Sequence, residues 1–257
     1  MHPDLEVWRD HEGTICAYGG AIGEERWLHL PHLASFHFDG RSVRALAHPP
    51  PRPDLIREAY NGSVLPLLLQ SSGTQVLHAS AVLTDRGVVA FCAESGTGKS
   101  TLAFGLSQRG YDLWADDAVA FVASAAAVTS IQLPFALRLR GDDPSPSPAA
   151  TLSSPSVPDR NDVRPLDVLF VLKRDRTARG IQVLPLPPSR AFPAVLTHAY
   201  CFSLRNAEQK RRMVAQYLEL VARLPVFEIH FESGLEHVAA VLDEIERAVG
   251  QLRMPTL

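Results

Sequence analysis

The sequence predicts an α/β protein: a phosphate-loop nucleotide-binding core preceded by a small β-rich region. Three observations predict it. The run from Val88 to Thr101, VVAFCAESGTGKST, reads as a buried strand, a Gly-containing turn and the opening of a helix. A second strand follows that helix and ends at Asp116-Asp117, so strand, helix and strand alternate in the middle of the chain. The first 50 residues or so hold only brief apolar runs cut by Gly, Pro and Asp, the pattern of short strands.

Composition sets the outer bounds. The 257 residues allow one large domain, or a core with a smaller one appended. A hydrophobic fraction of 46% and a charged fraction of 21% are those of an ordinary soluble globular protein. A formal net charge of −3 provides no global basic field for nucleic acid, and no apolar run reaches the ~18 residues a membrane helix needs. The N-terminal stretch MHPDLEVWRDHEG lacks the apolar segment of a signal peptide. Cys16, Cys92 and Cys201 are odd in number and far apart, which points to reduced thiols in a cytoplasmic protein. Cys92 lies in an apolar strand and reads as a small buried hydrophobe.

In chain order, Leu5 to Trp8, Thr14 to Tyr18, Arg26 to Leu30 and Ser42 to Ala47 are strand-like. Pro49, Pro50, Pro51 and Pro53 form a stiff break. From Pro53 to Gln70 the apolar spacing is helical, with Gly62 and Pro66 dividing it into two pieces. This region, residues 1–72, is expected to be β-rich with one helix, and residues 73–257 to form the core domain. Within the core, Gln75 to Leu83 reads as one strand, Asp85-Arg86-Gly87 as a turn and Val88 to Cys92 as the next strand. Ser100 to Arg109 is a helix stopped by Gly110, and Tyr111 to Ala115 is a strand. Ala118 to Ser124 and Ala127 to Leu133 form a hairpin. Residues 141–165 are poor in hydrophobics and rich in Ser, Pro and Asp, and are expected to be a long mobile loop. Strands return at Val168 to Leu172, Ile181 to Leu184 and Val226 to Phe231. Glu208 to Leu224 and Leu235 to Leu252 are helical.

The chemistry concentrates around the turn. The backbone N–H groups of Ser95 to Lys99 can point into one concavity and cradle phosphate oxygens at a helix N-terminus. Glu94, Ser95, Gly96, Thr97, Gly98, Lys99, Ser100 and Thr101 are therefore the expected nucleotide-binding residues. Lys99 would reach the β and γ phosphates, and the Ser100 hydroxyl would ligate Mg²⁺. Ala93 stands where this motif usually has its first glycine, which suits any backbone there except one needing positive φ. Asp116 and Asp117 end the following strand, where α/β sheets gather ligands. Neighbours on an extended chain face opposite ways, so one acid can serve the metal and the other can accept a hydroxyl proton. His78, in the apolar run VLHASAV, needs a polar partner, and a carboxylate such as Asp116 would suit it.

VLHASAV followed by VVAFCAESGTGKSTLAFGLSQRGYDLWADDAVAF resembles the catalytic domain of HPr kinase/phosphorylase, a match running from His78 to Phe121. That family carries a His ahead of the loop, a G-x-S-G-x-G-K-S loop, then R-G and A-D-D. Ser95, Gly96, Gly98, Lys99, Ser100, Arg109, Gly110, Ala115, Asp116 and Asp117 fall on that pattern. The Gly-Arg-Gly signature that follows the Asp pair is absent, and so is the large N-terminal domain. The layout is closer to the short HPr-kinase-like serine kinases of lasso-peptide precursors. The resemblance implies an ATP- and Mg²⁺-dependent kinase acting on a serine of a peptide or small protein, with homo-oligomers known in the family. It implies catalytic roles for Asp116, Asp117, His78 and Lys99. Ser100 and Asp117 would organise the metal and Asp116 would be the base with His78 behind it, the two acids being interchangeable on this ground.

The remaining candidates are weaker. Arg138 and Arg140 alternate in PFALRLR and could neutralise a phosphate or grip a substrate carboxylate. Arg205 and Lys210-Arg211-Arg212 read as an exposed charge run. His29, His32 and His37 do not share one clear face, and no metal site is expected there. Two other functions compete: a non-catalytic nucleotide-dependent switch that binds a peptide, and a small-molecule kinase or phosphoenolpyruvate-carboxykinase-like enzyme.

Overall fold

A computed structural model describes residues 5–9, 12–23, 25–39, 42–135, 162–175, 180–202 and 206–252. The chain divides into two compact units, one of residues 1–76 with 200–214 and one of residues 77–199 with 215–257.

In the first unit, alternation of apolar and polar side chains builds an antiparallel meander. Its strands are β1 (Glu6–Arg9), β2 (Ile15–Ile22), β3 (Glu25–Leu30), β4 (Ala34–Phe38) and β5 (Val43–Ala47), neighbours in that order. One face buries Ala17, Leu28, Ala34 and Phe36 against Val64 and Leu68 of the following helical segment. β4 was not foreseen, because the turn before it has no glycine: His32 itself adopts φ 61°. The helical segment is α1 (Pro53–Ala59), a π turn (Tyr60–Val64) and α2 (Leu65–Ser71). The expected division at Gly62 and Pro66 thus takes the form of a widened turn in an unbroken winding. Pro66 has no N–H for the Gly62 carbonyl four residues earlier, and the Tyr200 hydroxyl donates to that carbonyl at 3.2 Å.

The second unit is a mixed α/β layer structure. At its start the expected strand Gln75 to Leu83 is broken into β6 (Gln75–Leu77) and β7 (Ala79–Leu83), with His78 between them. There the His78 N–H leaves the ladder and donates to the His198 carbonyl at 2.7 Å. β8 (Val88–Cys92) is buried along its whole length and leads through the turn into α3 (Lys99–Gln108). α3 buries Leu102, Ala103 and Leu106. It stops at Gly110, whose φ of 99° lets its N–H return to Ser107 and the Tyr111 N–H return to Leu106. β9 (Asp112–Ala115), β10 (Val119–Ala123) and β11 (Val128–Ile131) follow. The long β12 (Val163–Arg174) comes next, then β13 (Gln182–Pro185), α4 (Pro188–Leu196), α5 (Ala207–Arg223, whose residues up to Val214 belong to the first unit), β14 (Val226–Phe231), a 3₁₀ turn (Leu235–His237) and α6 (Val238–Gln251).

The strands of this unit lie in the order β10-β11-β12-β8-β7-β9, with β14 on β12 and β13 on β14. β8 and β14 are both parallel to β12, and β7 is antiparallel to both β8 and β9. β8 and β9 therefore run the same way with β7 between them, and their carboxyl ends share one edge of the sheet. α3 and α6 cover one face, where Phe91, Phe170, Leu102, Leu106, Ile229, Leu242 and Ile245 form the core. Phe91 and Phe170 stack at 5.8 Å between ring centres.

Two expectations are corrected here. The loop assigned to 141–165 overlaps β12, since Val163, Arg164 and Pro165 pair with Ile131, Ser130 and Thr129; residues 141–161 lie outside the described residues. A strand of twelve residues was not legible because its first three pair with β11 and not with the parallel strands. α4 was also not foreseen: its two prolines argue against helix, but Ala191 and Val195 are buried on one side of it.

Candidate functional site

The turn between β8 and α3 is built as a strand-loop-helix. Gly96 and Gly98 take φ of 84° and 116°, conformations that L side chains rarely adopt, and the Thr97 N–H closes on the Glu94 carbonyl at 3.2 Å. Gly98 caps α3, and the first intrahelical bond runs from the Leu102 N–H to the Gly98 carbonyl at 2.9 Å. Helix geometry leaves the N–H groups of the first turn without intrahelical acceptors. Ala93 does not take a positive φ, so its methyl costs no strain where a glycine is usual. Glu94, Ser95 and Gly96 are exposed, and Thr97, Gly98, Ser100 and Thr101 are half-buried.

Lys99 is the first residue of α3 and is only 5% exposed. Its ammonium donates to the Ala93 carbonyl at 3.2 Å and meets His78 Nε2 at 3.1 Å. A lysine ammonium carries only donors, so this contact assigns His78 the neutral form with its proton on Nδ1. Burial chiefly, then Lys99, lowers the His78 pKa; Asp117, through its charge and a backbone hydrogen bond, and Asp116 oppose the shift. The imidazole thus meets Lys99 at its Nε2 and has Asp117 beside it, while Asp116, the partner expected for it, acts on it through its charge.

Asp116 is 5% exposed. Its Oδ1 accepts the Ser100 hydroxyl at 2.7 Å and the Ser80 hydroxyl at 2.6 Å. Two hydroxyl donors keep this buried carboxylate satisfied. Of the two acids, Asp116 is the one that accepts the Ser100 hydroxyl; Ser100 and Asp117 were the pair expected to organise the metal. Asp117 leaves the strand with φ 64°, the turn that lets adjacent acids serve one site.

Three residues of this cluster were not picked out from the sequence. Ser80 sits in β7 beside the β9 end, since Ala81 pairs with Ala115. His198 lies past α4, and its pKa is pushed down to about 4 by burial first, then by His78, Lys99 and Lys173. Arg174 ends β12, and its Nε donates to the Thr97 carbonyl at 3.1 Å. Ser80 was within reach of sequence reasoning, two residues beyond His78. His198 and Arg174 reach the site only through the sheet. Cys92 is fully buried and its thiol is pushed up to about 12, which suits the inert, structural reading.

The other candidates stand elsewhere. Arg138, Arg140 and Arg205 lie outside the described residues. Lys210, Arg211 and Arg212 are on α5, with Lys210, Arg211 and Arg212 all exposed and Arg212 paired with Glu208. In the first unit His29 Nδ1 and His48 Nε2 both meet Ser35 Oγ, at 2.9 and 3.1 Å, while His37 pairs with Glu25 at 3.1 Å. Among the described residues no helix is long and apolar enough to cross a membrane.

No family model matches the chain, and no curated protein matches it. Among solved structures, the HPr(Ser) kinase/phosphatase from Coxiella burnetii is similar to 70% of this chain and 99% of its own, at a TM-score of 0.39 and 13% sequence identity.

Proposed function

We propose that this chain is a kinase of the HPr-kinase-like type, using ATP and Mg²⁺ to phosphorylate a serine of a peptide or small protein. The observation that carries the reading is the buried Lys99 ammonium, aimed back at the Ala93 carbonyl across a glycine turn that opens a helix. Backbone N–H donors at a helix start together with one cation are what the oxygens of a triphosphate require. A precursor of the lasso-peptide kind is the acceptor we propose to test first.

The donor set at Asp116 fits Mg²⁺: a carboxylate and a serine hydroxyl 2.7 Å apart are hard oxygen ligands. When bound there, Mg²⁺ would neutralise charge on the phosphate oxygens. Lys99 would turn from Ala93 to the phosphates, and neutral His78 would hold it in place without competing for charge. Asp117, at the strand end beside His78, would accept the proton of the serine hydroxyl. As the serine oxygen bonds to the γ-phosphorus, the bond to the bridging oxygen breaks and ADP leaves with the electron pair. Positioning and charge neutralisation provide the acceleration, with no covalent intermediate on the protein.

Intact-mass spectrometry of precursor peptides incubated with protein, ATP and Mg²⁺ tests this reading. A gain of about 80 Da per peptide, localised to serine and absent with Lys99→Ala, is the expected result. Nucleotide-dependent peptide binding without any mass gain would move the assignment to a switch.

A further inference from the structure

We propose that Arg174 is a second phosphate ligand, clamping the nucleotide from the outer side of the glycine turn while Lys99 holds it from the inner side. The inference rests on the kinase reading, since it presupposes a nucleotide in this turn.

The sheet puts Arg174 there. β12 is parallel to β8 with Val171 opposite Cys92, so the last residues of β12 run on level with the turn that leaves β8. The Arg174 Nε then donates to the Thr97 carbonyl at 3.1 Å. The two cations thus grip the two ends of one turn, Lys99 at Ala93 and Arg174 at Thr97.

The chemistry of the guanidinium gives this placement a use. With Nε committed to Thr97, the terminal nitrogens of the planar fork remain as donors suited to two phosphate oxygens. No carboxylate among the described residues forms an ion pair with Arg174, whereas Arg86, Arg109, Arg164, Arg212, Arg223 and Arg247 each have one. Among the described residues the exposed Arg174 side chain is oriented by the neutral Thr97 carbonyl, which leaves its charge to meet an anion. Lys173, beside it, adds to the positive charge felt at His198. Charge-assisted hydrogen bonds from such a fork are about twice as strong as neutral ones.

The test is calorimetric titration of the full-length protein with Mg²⁺-ATP and Mg²⁺-ADP, in wild type, Arg174→Gln and Arg174→Lys, alongside peptide phosphorylation kinetics. The expected result is a loss of about tenfold in ATP affinity for Arg174→Gln, the size of one charge-assisted contact, with partial recovery in Arg174→Lys and an unchanged melting temperature without nucleotide. ATP affinity and kcat within twofold of wild type would overturn the inference, on an estimated scale where one such contact is worth about tenfold. A lowered melting temperature with unchanged affinity would likewise overturn it, by making Arg174 a tether of the turn. If wild type bound ATP and phosphorylated peptide, the kinase reading would survive either of these results. If wild type itself bound no nucleotide, both would fall.

Discussion

Lys99 is the residue on which the site turns. On the kinase reading its buried ammonium, which meets the Ala93 carbonyl and His78 Nε2, is the cation that the phosphates would find at the start of α3. Lys99→Ala should therefore weaken ATP binding and cut phosphoryl transfer by roughly 10²-fold or more, read by titration and by peptide mass shift. The acid pair separates by a different measurement. Asp117→Asn should leave Mg²⁺-ATP affinity nearly unchanged and lower kcat by about 10²–10⁴-fold, the range of a lost general base. Asp116→Asn should weaken Mg²⁺-ATP binding, because that carboxylate holds Ser100. Should Asp117→Asn turn over normally while Asp116→Asn binds but does not react, the two roles are exchanged.

At the scale of elements, the site depends on β8 and β12 staying in register. Gly87, just before β8, lies tight against β12: a Cβ there would lie 2.5 Å from the Pro165 carbonyl oxygen, at φ 156°. The obstacle is backbone, which cannot swing aside as a side chain would. Gly87→Ala should destabilise the protein by about 1–3 kcal/mol, the usual cost of overpacking, and lower the melting temperature by several degrees. A melting temperature equal to wild type would mean that the β12 start moves freely. The same strand explains why the sequence reading of this region fell short. Val168 to Leu172 is legible as a buried apolar run, but Val163 to Pro165 is extended only because β11 pairs with it.

Across the whole molecule, the histidines at the site couple stability to pH. His198 has a folded pKa of about 4 against an ordinary 6.5, and that of His78 is also lowered. An imidazole depressed in this way binds fewer protons folded than unfolded between those values. Its contribution is present above pH 6.5 and is lost as pH falls towards about 4. The melting temperature should decline over that window, and His198→Asn should flatten the decline. An identical decline in the variant would assign it to other groups.

The local order of strand, glycine turn, lysine and helix was determined by the sequence alone, because hydrophobic periodicity and glycine placement act over a few residues. So was the helix stop at Gly110, and so were the ends of α5 and β14 to within a residue; the run read as one helix from Leu235 to Leu252 opens instead with a 3₁₀ turn (Leu235–His237), and α6 begins at Val238. The partners of the site residues were decided by tertiary structure. His78 stands between two strands and not within one, because its N–H goes to His198 far along the chain. Asp116 rather than Asp117 takes the Ser100 hydroxyl because the chain turns at Asp117. Arg174 reaches Thr97 because β12 inserts beside β8. Each of these depends on strand pairing between distant segments, and neither spacing nor composition carries that information.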